Sequence, residues 1–266
     1  MGVYIKAKSS APALDPDAQA FITAAGITDP TQQSAINNLV INLKAASIWT
    51  KMKAVYPFVG GTASTHKWNL KDPQDSDAAY RLVFFGGWTH DANGIQGNGT
   101  NGYADTRFNP NTGYSVNDNG HISVYSRLNQ SQVDADLGCQ SGSNYLILSI
   151  RRLDQSNNTY YGVNSSNFAI QNADPNSLGM YVANRIGTSN KGYKNNAIAI
   201  SATNSATVRP NANAYISTIN SGGPNSGLYS NKQFAFATIG DGLTDTEAAD
   251  FYTAVQNFQT TLSRQV

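Results

Sequence analysis

Asp134 and Asp136 could in principle serve as a catalytic carboxylate pair, since residues at i and i+2 share one face of an extended segment. Glycoside hydrolysis needs such a pair, one carboxyl acting as acid and the other as base or nucleophile. Aspartate is disfavoured within strands, however, so the two residues read as a solvated turn ahead of Leu137. Glu247 is the only glutamate in 266 residues, and its place in Thr244-x-x-Glu247 suits a helix capping box. His66, His90 and His121 are the only histidines; none is paired at metal-ligand spacing, and each reads as a lone surface or internally satisfied residue. Cys139 stands alone and cannot build a zinc site or an intrachain disulfide. A Gly-x-Ser-x-Gly elbow, a phosphate-cradling loop and a dinucleotide fingerprint are all missing from the sequence. The expectation is a protein that is not an enzyme.

Neutral recognition is better provided for. Asn, Ser, Thr, Gln and Gly supply most of the polar surface, with 14 Tyr, while charged residues are only 13% of the chain at net +1. So weak a field gives no counterion-release drive toward nucleic acid or an anionic membrane. Trp88 follows a predicted strand and the Gly86-Gly87 break, beside His90 and an Asn/Gly loop. Trp88, His90, Asn93 and Tyr103 are therefore the candidate glycan-binding residues, aromatic rings for the apolar sugar face and polar groups for its hydroxyls. For Trp88 a packing role and a platform role both stand, whereas Trp49 and Trp68 read as packing residues.

The elements that must position these residues change character along the chain. Asp29-Pro30 opens a helix carrying Ile36, Leu39, Val40 and Leu43, predicted to reach roughly Met52, with Gln32 at the capping-box position. A shorter helix follows Asp15-Pro16 and ends near Gly26. From Phe58 onward the apolar period is two. Strands are predicted over 80–85, 103–108, 121–127, 145–153, 159–163, 178–186, 197–202, 215–219 and 233–239. Asn117-Asp118-Asn119-Gly120 reads as a tight hairpin turn, and 91–101 and 220–229 read as long loops. Thr244 opens a final helix with Phe251, Val255, Phe258 and Leu262 on one face. The fold class is mainly β: a two-sheet antiparallel jelly-roll sandwich over 58–266, an N-terminal helical segment over 1–57, and a C-terminal amphipathic helix. No stretch of about 18 apolar residues occurs, so the expectation is a soluble chain made in the host cytoplasm without a signal peptide.

With Tyr193-Lys-Asn-Asn-Ala-Ile-Ala-Ile and the closing Ser230 to Ala248 segment, the sandwich resembles the laminin G/concanavalin A-like jelly rolls. Four blocks resemble virion proteins of tailed bacteriophages: 56–61, Ser64-Thr-His-Lys-Trp-Asn-Leu-Lys-Asp-Pro, 98–106 and 240–249. The resemblance covers residue 30 to the C-terminus, and its blocks are rich in Gly, Pro and aromatic residues. It implies a virion decoration, fibre or tail component, present in multiple copies or as a homo-oligomer beside other virion proteins. Some related jelly rolls are glucanases with paired glutamates on one strand, a pair missing here. Laminin G-like sandwiches often hold calcium near one rim; Asp91, Asp105 and Asp118 are the candidate ligands, each also explicable as a turn residue. Three functions are carried forward: a host-glycan-binding virion protein, a purely architectural capsid or tail reinforcement, and a polysaccharide depolymerase using Asp134 and Asp136.

Overall fold

A computed structural model describes residues 14–166, 170–225 and 227–266. The chain opens with helices α1 (Pro16–Ala25) and α2 (Pro30–Ala45), followed by strand β1 (Met52–Tyr56) and a helical turn α3 (Ala63–His66). Four short strands come next, β2 (Val83–Phe85), β3 (Trp88–Asp91), β4 (Gly94–Gly97) and β5 (Tyr103–Asp105), then a turn α4 (Pro110–Gly113). The long strands are β6 (Asn119–Ser126), β7 (Leu137–Ser141), β8 (Asn144–Arg152) and β9 (Asn158–Ser166), with β10 (Ile170–Ala173) at their side. The chain closes with β11 (Gly179–Ile186), β12 (Ser189–Lys194), β13 (Ala197–Thr203), β14 (Tyr215–Ile216), β15 (Ile219–Asn220), β16 (Gln233–Gly240) and helix α5 (Asp245–Thr261).

The strands form two eight-stranded sheets. One runs β13-β12-β11-β6-β16-β4-β3 with β1 also on β16; the other runs β10-β9-β8-β7-β14-β5-β2 with β15 also on β7. All pairings between these strands are antiparallel except β15 with β7. Alternate residues of each sheet meet in the middle, where Phe58, Ile122, Val124, Leu146, Leu148, Tyr161, Tyr181 and Phe234 form one core. The opposite face of the first sheet presents Tyr125, Met180, Val182 and Phe236, against which Phe21, Leu39, Leu43, Phe251, Val255 and Phe258 pack from the helices. Each fully buried side chain of this size contributes about 1.5–3 kcal/mol of apolar transfer. The expected sandwich is thus present, and among the described residues its helical layer lies on one side only.

The helices start and stop for local reasons. Asp15 accepts from the Asp17 N–H and Asp29 from the Gln32 N–H, each just before a proline at the first helical position. Gln32 does not complete a capping box; its side chain accepts from the Gly60 N–H at 2.9 Å and ties the helix to a loop. Helix α2 ends at Ala45 rather than near Met52, because Ser47 turns to a positive φ of 59° and the chain then enters β1. Strand β1, inside the 1–57 segment, pairs with β16 from Met52 to Tyr56. At the other end Thr244 and Glu247 form the expected reciprocal capping box, and Glu247 also takes Lys51 at 2.6 Å.

Two turns differ from expectation. The 91–101 loop begins as the second half of a hairpin, β3 with β4, held because Gly94 has φ +128° where an added Cβ would lie 2.1 Å from the Phe234 carbonyl. Asn117-Asp118 joins α4 to β6 and makes no hairpin, since β6 lies between β11 and β16.

Candidate functional site

Because helices cover the outer face of the first sheet, the second sheet supplies the open broad face. Around Ile147 that face is roofed by Ala135, Ile219 and Leu228; on β2, β5 and β14 beyond that roof, Phe85 is exposed and Tyr103 and Tyr215 are half-buried. Phe84, Ala104 and Ile216 of these strands point into the core, so the alternation of the pleat sends Phe85, Tyr103 and Tyr215 outward. The three rings stand in a row: Phe85 and Tyr103 have centroids 4.9 Å apart at 12°, Tyr103 and Tyr215 4.8 Å apart at 32°. Phe85 is 39% exposed, and β2 is the edge strand of its sheet, so the ring face away from Tyr103 has no cross-strand neighbour. Partial burial raises both tyrosine pKa values, which keeps the phenols neutral and able to donate.

Beside Phe85 the chain crosses between sheets through Gly86-Gly87, over which the 98–102 loop is folded. An added Cβ on Gly102 would lie 2.3 Å from the Gly87 carbonyl, so both sides of this crossing require glycine. Asn98 Oδ1 accepts the N–H groups of Thr100, Asn101 and Gly102, and Asn101 Oδ1 accepts the Gly87 N–H at 3.0 Å. The exposed Asn101 keeps its amide nitrogen without a partner among the described residues. One apolar ring face, neutral hydroxyls and a spare amide donor are the groups that bind a neutral polyol.

The four candidate glycan residues do not lie together on this strip. Tyr103 is its centre, while Trp88 faces the gap between the sheets, edge-on to Phe84 at 5.3 Å, and donates Nε1–H to the Phe85 carbonyl at 2.9 Å. Trp88 therefore plugs the sandwich edge directly behind Phe85. Asn93 lies in the β3–β4 turn, its N–H bonded to Asp91. Phe85 and Tyr215 went unnoticed in the sequence, although the alternation Phe84-Phe85 within a predicted strand marks one ring in and one ring out.

His90 is not a lone histidine, nor is His66: their Nδ1 atoms are 3.0 Å apart. The Gly61 N–H donates to His66 Nε2, so His66 carries its proton on Nδ1 and gives it to His90 Nδ1. Burial, reinforced by His90 and Arg264, pushes the His66 pKa down to about 3, and burial also lowers that of His90. Both rings are therefore neutral and structural at ordinary pH. His121, fully buried, bonds the Asp241 carbonyl and Thr238, and burial lowers its pKa to about 4.

The three candidate calcium ligands sit on different elements. Asp91 closes β3, Asp105 on β5 takes the Arg107 N–H, the Arg107 guanidinium and Asn213, and Asp118 is exposed in the turn before β6. Among the described residues no three His, Cys, Asp or Glu side chains are grouped as a metal-ligand set.

Asp134 and Asp136 correct the sequence reading outright. Both are 0% exposed, because Lys232, equally buried, extends between them from the start of β16. A solvated turn was expected; a cation 98 residues away in sequence makes their burial tolerable. No substrate reaches two carboxylates enclosed in this way.

No family model and no curated protein matches the sequence. Solved structures do match. A mutant of Trypanosoma rangeli sialidase displaying trans-sialidase activity aligns with a TM-score of 0.56 at 12% identity, over 85% of this chain and 39% of the sialidase. The same organism's sialidase in complex with 2,3-difluorosialic acid gives 0.52 at 11%, over 83% and 38%. Domain 4 of AbnA, an extracellular arabinanase from Geobacillus stearothermophilus in complex with arabinotriose, gives 0.48 at 12%, over 76% and 98%. The chain spans about two fifths of the sialidase chains. The likeness to the sialidases is one of fold, a mainly β sandwich.

Proposed function

We propose that this chain is a non-enzymatic, lectin-like component of a tailed-bacteriophage virion, a decoration, fibre or tail part, that contacts neutral host-surface glycans. The carrying observation is the row of Phe85, Tyr103 and Tyr215 rings on the second sheet, Phe85 exposed and the tyrosines half-buried, with the Asn98 to Gly102 loop at its end. A sugar ring stacks on the free face of Phe85 while Asn101 and the tyrosine hydroxyls bond its hydroxyls. The virion setting rests on the four sequence blocks, and the ligand class on the strip. The sandwich likeness to sialidases, one described with a sialic acid derivative, makes sugars the first compounds to try. The absence of catalysis is argued from the enclosure of Asp134 and Asp136 and from the single glutamate, used as a helix cap.

A glycan array, run with and without calcium, tests the reading. The wild type binds at least one neutral glycan, and Phe85→Ala weakens that binding about tenfold, the equivalent of about 1.4 kcal/mol from one lost stacking face. Absence of binding under both conditions removes the glycan part of the proposal. The architectural alternative draws on β13, an edge strand free of charge and proline, whose Ile198 is 49% exposed. Sedimentation favours it if assembly occurs without any glycan binding and Ile198→Lys abolishes it.

A further inference from the structure

The buried Lys232, Asp134 and Asp136 cluster has the composition and placement of a self-condensing site. Lys232 Nζ bonds Asp134 Oδ2 and lies 3.2 and 3.5 Å from the two carboxylate oxygens of Asp136. All three side chains are 0% exposed, on segments that reach one end of the sandwich from different sheets: Lys232 precedes β16, and the aspartates precede β7. The two carboxyls are not equivalent. Asp136 accepts from Ser230 Oγ at 2.7 Å and from the Ile150 N–H at 2.6 Å. Asp134 Oδ1 is buried with no hydrogen-bond partner, which disfavours a charge there.

We propose that after folding Lys232 and Asp134 condense into an intramolecular isopeptide bond, with Asp136 as the proton relay. The resting cluster is an ammonium facing two carboxyl groups. Moving one proton along the hydrogen bond from Lys232 to Asp134 gives a free amine beside a neutral carboxylic acid, a form that burial favours. The amine lone pair attacks Cγ of Asp134 to form the C–N bond. Asp136 takes a proton from the nitrogen and delivers it to the hydroxyl on Cγ; the C–O bond breaks and one water leaves. No oxidant, metal or cofactor enters the balance. Burial, and secondarily the charge of Asp136, pushes the Asp134 carboxyl up, toward its acid form. Burial alone works against the Lys232 ammonium, and the two aspartates outweigh it, raising its pKa; the slow step is therefore the proton shift. The product is a covalent tie between segments 98 residues apart, in a chain whose one cysteine, Cys139, cannot form an internal disulfide.

Intact-mass measurement of the folded, then denatured, full chain is the test. The wild type is expected one water lighter than its sequence, with trypsin unable to cut after Lys232 and a branched peptide joining Lys232 to Asp134. Asp136→Asn, which keeps the shape of the relay, and Lys232→Arg are expected at their full sequence masses. Asp134→Asn separates the two carboxyls: it condenses by losing ammonia instead of water. A wild type at full mass after prolonged incubation, and cleaved after Lys232, overturns the proposal. Dehydration of Asp136→Asn, or a link mapped to Asp136, overturns the assignment of roles.

Discussion

Replacing His66 by glutamine gives the sharpest electrostatic test of the sandwich edge. Glutamine keeps an acceptor for the Gly61 N–H but removes the titration. Folded His66 holds its pKa near 3 because burial, with His90 and Arg264 behind it, opposes the charged ring, whereas the unfolded side chain titrates near 6.5. Folded pKa below unfolded pKa means that the unfolded state binds the extra proton, so the stability tied to His66 is complete above pH 6.5. It is lost as pH falls toward 3. Between about pH 7 and about pH 5 the unfolded chain gains about 0.7 of a proton at this site and the folded chain almost none, a loss of about 2 kcal/mol. The comparison of wild type with His66→Gln reads the His66 ring together with any change at His90, its hydrogen-bond partner. His121, lowered to about 4, acts equally in both proteins and cancels, as does the Asp134 site, free or condensed. Urea unfolding of the two proteins at both pH values should show the wild type losing about 2 kcal/mol more than the variant. Parallel losses would refute the claim that the His66 and His90 pair is neutral in the fold.

Two further substitutions probe how the sandwich is locked. Arg264 is 1% exposed and donates to the carbonyls of Pro57, Phe58 and Ala235 and to Gln259, so Arg264→Met should destabilise by about 3 kcal/mol, read as a lowered urea midpoint at unchanged slope. Gly94→Ala forces a Cβ to 2.1 Å from the Phe234 carbonyl at a φ that L-residues avoid, so it should cost about 3 kcal/mol or more, and hydrogen exchange should show β3 and β4 unprotected first.

The long strands and the closing helix were legible because their apolar periods are clean: β6, β8, β9, β11, β13 and β16 fall where alternation placed them, and Thr244 to Leu262 folds as a capped helix. Strands β7 and β12 escaped notice because each contains a glycine that its neighbours demand. A Cβ on Gly138 would lie 2.3 Å from the Leu146 carbonyl, and one on Gly192 would lie 2.4 Å from the Tyr161 ring. Strand β1 was left inside the 1–57 helical segment because Trp49 to Tyr56 carries no glycine or proline to mark the break that Ser47 makes. The aromatic strip proposed as the site was legible in one residue only. Tyr103 was named, but Phe85 and Tyr215 join it only through strand neighbours more than 100 residues apart at the extremes. The Asp134 and Asp136 reading failed for the same reason, since a local pattern cannot reveal that a lysine arrives from the opposite sheet.

The one-sided helical layer gives the molecule a front and a back. Helix α1 lies in that layer, and Val266, bonded to the Tyr125 hydroxyl through its N–H, lies there too. A scaffold joined at either place would hold the sandwich from behind, like the handle of a stamp, and leave the inked side with its three rings pointed away from the support.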